Sequence, residues 1–250
     1  MVSLSKITYR GRALYLAYDQ GLEHGPESDF NDKNVDPLYI LDIAKKAKFN
    51  GVVFHLGIAE KYNKEIRKLR VPLILKLNGK TKLVKGEPKS AMIASVEDAI
   101  RLKASAVGFT IYIGSKFEEE IIEDFVQVRR MAHARGLPVI AWVYPRGGKV
   151  RNDVSRENMV YAARTGLEVG ADIVKIKYGG VPEDLNWAVK AAGRCKVVIA
   201  GGVKKLERDF LKNTRDIIKS GAIGLAVGRN VWQSKNPIGL SKKLHKIIFD

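Results

Sequence analysis

The feature that most constrains this chain is the alternation of two kinds of segment. Apolar, β-rich runs recur as ALYLAYD (13–19), GVVFHLG (51–57), VPLILKLNG (71–79), AVGFTIY (106–112), PVIAWVYP (138–145), DIVKIKY (172–178), KVVIAGG (196–202) and GLAVGRN (224–230). Amphipathic stretches such as PLYILDIAKKA, FEEEIIEDFVQVRRMAHARG and ERDFLKNTRDIIKSG lie between them. Several end in a glycine suited to closing a helix, as at Gly136, Gly170 and Gly221. Strands apolar on both faces need helices on both sides, which is the situation of a parallel sheet. Eight evenly spaced units predict closure into a single (β/α)8 barrel, the TIM-barrel architecture, as one domain over residues 1–250. A doubly wound open sheet is the alternative. The connection between 79 and 95 lacks clear periodicity, so the third helix is the least defined.

Composition narrows the function. The 250 residues carry a formal net charge of +17. Lysine and arginine are spread over the predicted helices, as in RKLR (67–70) and KKLHK (242–246), rather than gathered in a stripe or tail. That pattern argues against nucleic acid as a partner and suits attraction of an anionic metabolite. The single cysteine, Cys195, excludes an intrachain disulfide and fits a reducing cytoplasm. Four scattered histidines (His24, His55, His133, His245) show no metal-ligand spacing, so no metal is expected. The start, MVSLSKITYRGR, reads as having no secretory leader, and no apolar run approaches the 18 or so residues of a membrane span.

Barrel chemistry sits at the C-terminal ends of the strands, and the unusual polar residues gather there. Strand one runs out at Asp19 and strand three at Lys76 and Asn78. Strand five ends in Trp142, Tyr144 and Arg146, strand seven in Ala200–Gly201–Gly202, and strand eight in Gly228–Arg229. Strand six carries Lys175 and Lys177 two positions apart, on one face by the alternation of a strand. Two ammonium groups so placed repel, and the loss of one proton gives an amine able to condense with a carbonyl. Pairing with carboxylates, or exposure at a strand end, is the competing reading. The glycine turns after strands seven and eight suit phosphate, with Arg229 adding a forked contact. Arg146 suits a second phosphate or a carboxylate. Tyr144 can relay a proton if nearby cations lower its pKa. Together these groups describe aldol chemistry through a Schiff base on a sugar bisphosphate.

The strings AYDQGLEHGP, GVVFHLGIAEKY, LILKLNGKT, SAVGFTIYIGS, YPRGGK, VKIKY, AGG and AVGRNVWQ resemble the archaeal-type class I fructose-1,6-bisphosphate aldolases over nearly the whole chain. The resemblance implies a metal-independent barrel enzyme without a cofactor, typically a homodecamer. Such an enzyme reversibly cleaves fructose 1,6-bisphosphate to dihydroxyacetone phosphate and glyceraldehyde 3-phosphate. It further implies that Lys175 forms the Schiff base, with Tyr144 as proton donor and Asp19 assisting. Gln20, His24, Trp142, Arg146, Lys177, Ala200–Gly202 and Gly228–Arg229 carry over as substrate contacts. The family usually has histidine where this chain has Gln20, and serine where it has Ala200. The second change removes a hydroxyl and keeps the backbone donors. A relative that transfers a three-carbon unit in aromatic amino acid precursor synthesis is the second enzyme reading, and YPRGGK matches the bisphosphate aldolases better. A non-catalytic, RNA-associated basic barrel is the reading from another class.

Overall fold

The structure, a computed structural model, describes residues 2–250. Eight parallel strands close a barrel: β1 (Ala13–Ala17), β2 (Gly51–His55), β3 (Leu73–Lys76), β4 (Ala106–Ile113), β5 (Val139–Pro145), β6 (Ile173–Ile176), β7 (Lys196–Ala200) and β8 (Gly224–Val227). Each strand pairs with its sequence neighbours, and β8 returns to β1 through Leu14↔Leu225 and Leu16↔Val227. The alternation of side chains divides the core in two. Tyr15, Ala17, Val53, Ile74, Ala106, Ile140, Trp142, Ile173, Val198 and Ala226 fill the barrel. Leu14, Leu16, Val52, Leu75, Val107, Val139 and Val174 point outward under the helices. Burial on both faces is the reason the strands read as unbroken apolar runs.

Local chemistry starts and stops the helices as expected. The Asp36 side chain accepts from Leu38 N at 2.9 Å ahead of Pro37, and Ser95 and Asp98 form a reciprocal capping box at Val96–Arg101. Gly136, Gly170 and Gly221 take left-handed φ of 68°, 83° and 91° after their helices. Lys48, Arg70 and Lys103 do the same job ahead of β2, β3 and β4 with no glycine present, which hid those helix ends from the sequence. Beyond β2 the chain forms two short helices, Leu56–Lys61 and Asn63–Leu69. The poorly periodic 79–95 connection holds no helix. Asn78–Gly79 pairs there with Ala91–Met92 as a small antiparallel ribbon beside the β3 end. Among the described residues, no helix is long and apolar enough to cross a membrane.

Candidate active site

The β1 end supplies the first carboxylate. Asp19 precedes a short helix, Gln20–His24, yet its side chain makes no capping bond to that helix. It is buried, 6% exposed, within the barrel mouth. Burial pushes its carboxyl up, but Lys175, Lys76 and His55 outweigh that and hold it below the usual carboxylate range. Asp19 therefore stands ionised against a cluster of bases.

Lys175 lies on β6 directly across from Trp142 on β5, a register pair. Its ammonium position is 5.0 Å from the indole centroid and the side chain is only 6% exposed. Burial lowers its pKa first; Asp19 and Glu23 oppose that, and Lys76 adds to it. The like charge that favours a neutral amine is thus Lys76 of β3. Lys177 does not play the part that strand alternation gave it. The strand stops at Ile176, and Lys177 turns to pair with Asp153 from the loop after β5. Both lysines still face the one cavity, as strand alternation gives, but the charge of Lys177 is paired with Asp153.

Tyr144 also departs from expectation. Burial, then Asp19 and Glu23, drive its pKa well above the ordinary phenol value, and Arg146 only partly opposes this. Nearby cations do not produce a phenolate; desolvation keeps the hydroxyl protonated, which suits a proton donor. The Arg146 guanidinium caps the Tyr144 ring at 5.5 Å and the Tyr112 ring at 5.7 Å.

The anion-binding candidates sit opposite, at β7 and β8. Gly201 N–H is tied to Ala226 O at 2.9 Å, and the loop then turns through Gly202 with φ of 69°. Asn230 clamps this loop. Its Nδ2 donates to the carbonyls of Gly201 and Val203, each at 2.9 Å, and its Oδ1 accepts from Lys205 N at 2.8 Å. Arg229 approaches Asp29 at 3.5 Å, and the other Asp29 oxygen lies 3.6 Å from His24 Nδ1. Burial and then Arg229 lower the His24 pKa, so its ring stays neutral near pH 7. Gly228 lies against the Gln20 amide, where any side chain would collide with it.

A cavity of about 450 Å³ joins these parts. Asp19, Gln20, His24, Tyr144, Arg146, Lys175, Lys177, Ala200, Gly201, Gly202, Gly228 and Arg229 all line it. Trp142 is absent from the lining and lies buried beside Lys175. An amine whose pKa burial lowers, a protonated phenol, an ionised carboxylate and a cationic, glycine-rich far wall equip this space for carbonyl condensation on an anionic substrate.

The pattern has relatives. Residues 13–234 match the family described as DeoC/LacD family aldolase. The chain belongs to that family. It is 51% identical to the class 1 fructose-bisphosphate aldolase of Thermoproteus tenax, over 96% of this chain and 90% of the relative. It is 42% identical to the class 1 fructose-bisphosphate aldolase of Halobacterium salinarum, over 98% and 94%. Among solved structures it superposes with a TM-score of 0.93, at 48% identity over 99% and 98% of the two chains, on an archaeal fructose-1,6-bisphosphate aldolase. In that structure the catalytic lysine is covalently bound to the carbinolamine intermediate of the substrate.

Several residues of this DeoC/LacD aldolase site escaped the sequence reading. Lys76 stands out in the sequence only as a polar strand end, with nothing there to join it to the site. His55, its register partner on β2, is buried with neither ring nitrogen bonded to the protein. Glu23, Asp29, Asp153 and Asn230 carry no role in the sequence reading, although each holds a basic residue or the 201–205 loop. The available signal was charge economy, since a fully buried lysine needs a carboxylate, and Glu23 follows Asp19 by one helical turn.

Proposed function

We propose that this chain works as a class I fructose-1,6-bisphosphate aldolase through a Schiff base on Lys175. The reading is carried by the nearly buried amine of Lys175 beside Asp19 and Tyr144 in a cavity with cationic walls. The identity to class 1 fructose-bisphosphate aldolases supports it. The Lys175 nitrogen adds to the C2 carbonyl of fructose 1,6-bisphosphate, and the carbinolamine hydroxyl leaves as water with a proton from Tyr144. The resulting iminium accepts the electrons of the C3–C4 bond while the C4 hydroxyl proton passes to the Tyr144 oxygen. Glyceraldehyde 3-phosphate departs, the enamine takes a proton at C3, and water releases dihydroxyacetone phosphate. The protonated imine is the electron sink, so the chemistry calls for no metal or organic cofactor. Asp19 keeps a negative charge beside the iminium, which stabilises it as it forms.

In this reading Arg229, with the backbone of Gly202 and Gly228, takes one phosphate, Gly201 shapes the turn, and Arg146 takes the other phosphate. Lys177, Gln20 and His24 contact the sugar between them, and Ala200 lends only its backbone. Trp142 packs against the Lys175 stem. The enzyme is one domain over 1–250, a cytoplasmic homo-oligomer, with a decamer carried over from the family; light scattering measures the assembly. Nucleic acid has no part in it. The decisive experiment is borohydride reduction in the presence of dihydroxyacetone phosphate, followed by peptide mass spectrometry. An adduct on Lys175 is expected, and an adduct on Lys177, or none, overturns the assignment.

A further inference from the structure

Lys76 carries the most completely buried charge of the barrel mouth, with 0% exposure. Its ammonium donates to Glu23 Oε1 at 3.1 Å and to the Asn78 carbonyl at 2.7 Å. It also lies 5.5 Å from the Trp142 ring centroid, so Lys76 and Lys175 flank the same indole. Glu23 reaches it from the short helix that begins after Asp19, and is itself 16% exposed. The Schiff-base steps above use neither residue. Packing does not explain them either. Desolvating an ion pair costs about as much as its attraction returns, and an apolar side chain of similar volume would fill the space at least as favourably.

We propose that Lys76 and Glu23 are a pair of positioning residues whose opposite charges tune the Lys175 nucleophile and the Asp19 carboxylate. The inference rests on the Schiff-base reading. The groups around Lys175 are Asp19 beyond β1, Glu23 on the following helix, His55 on β2, Lys76 on β3 and Tyr112 on β4. Tyr144 and Arg146 come from β5, and the Lys177–Asp153 pair and Arg229 lie farther along the cavity wall. Among them Lys76 is the cation that favours a neutral Lys175, and it also keeps Asp19 ionised. Glu23 pulls the other way on Lys175. The pair balances two requirements: an amine free to attack, and a protonated nitrogen once the imine has formed.

The two members therefore have opposite signatures although they share one salt bridge. Without Lys76, Lys175 holds its proton to higher pH, so the acid limb of Schiff-base formation moves up. Without Glu23, Lys175 sheds its proton sooner and the limb moves down. A pair that only held the barrel together would move both variants the same way. The test is borohydride trapping with dihydroxyacetone phosphate as a function of pH on wild type, Lys76→Met and Glu23→Gln. The expected result is a midpoint above wild type for Lys76→Met and below it for Glu23→Gln. Midpoints that coincide with wild type, or that move together, overturn the proposal. If Lys76→Met does not fold, the near-isosteric Glu23→Gln decides alone, and a midpoint that stays or rises refutes the pair. Wild type that gives no Lys175 adduct overturns the Schiff-base reading itself and this inference with it.

Discussion

Tyr144→Phe isolates the proton carrier. Tyr144 sits opposite Tyr112 in the β4–β5 register, with the Arg146 guanidinium 5.5 Å and the Lys177 ammonium 5.9 Å from its ring centroid. Among the described residues, no protein group hydrogen-bonds its hydroxyl. Phenylalanine therefore keeps the ring contacts and orphans no partner, and the folding stability should change by less than about 1 kcal/mol. Catalysis should fall far more. Losing a positioned acid–base group costs roughly 10²–10⁴ in turnover, or about 3–5 kcal/mol of barrier. Burial and the Asp19 and Glu23 charges hold the phenol above its ordinary range, so the donor stays protonated. Wild-type turnover should accordingly show no loss of a proton donor near the ordinary phenol pKa of about 10. The assay pairs borohydride trapping with coupled cleavage of fructose 1,6-bisphosphate, both as functions of pH. Trapping near wild-type yield with cleavage reduced in that range is expected. Cleavage within tenfold of wild type would show that another group moves the proton.

Three further outcomes test other parts of the site. Lys177→Ala should leave the pH midpoint of trapping close to wild type even if the yield falls, because the Lys177 charge is paired with Asp153 and the charges that shift Lys175 are Asp19, Glu23 and Lys76; a displaced midpoint would restore it as the perturbing charge. Arg229→Ala should weaken fructose 1,6-bisphosphate and dihydroxyacetone phosphate alike, by about one to two decades in KM or Kd, the worth of one charge-assisted contact. Titration calorimetry with dihydroxyacetone phosphate reads this directly, and unchanged affinity would count against the phosphate role. Gly108→Ala places a methyl group against the Trp142 ring, which already closes on that backbone. Overpacking of this kind costs about 1–3 kcal/mol, seen as a drop of roughly 2–4 °C in Tm per kcal/mol, and an unchanged Tm would show that the indole can move aside.

The sequence alone determined the architecture, because the period of hydrophobicity is a local property of the chain. Strands such as Val139–Pro145 and Ile173–Ile176 are apolar on both faces and must be covered on both, and eight such units close on themselves. The same alternation put Tyr144 beside Trp142, aimed Lys175 into the barrel, and gathered Asp19, the Gly201–Gly202 turn and Arg229 at one rim. Tertiary structure decided what those residues experience. Lys177 shares the cavity with Lys175 but its charge is paired, and its carboxylate partner arrives from 24 positions away. Lys76 joins the site through pairing of β2 with β3 and the folding back of Glu23, 53 positions distant in sequence. The protonation of Tyr144 and Lys175 follows burial first, which no stretch of neighbouring residues encodes. Alternation is carried by adjacent residues, whereas the field at a buried atom sums over charges and low-dielectric walls that only the closed barrel brings together.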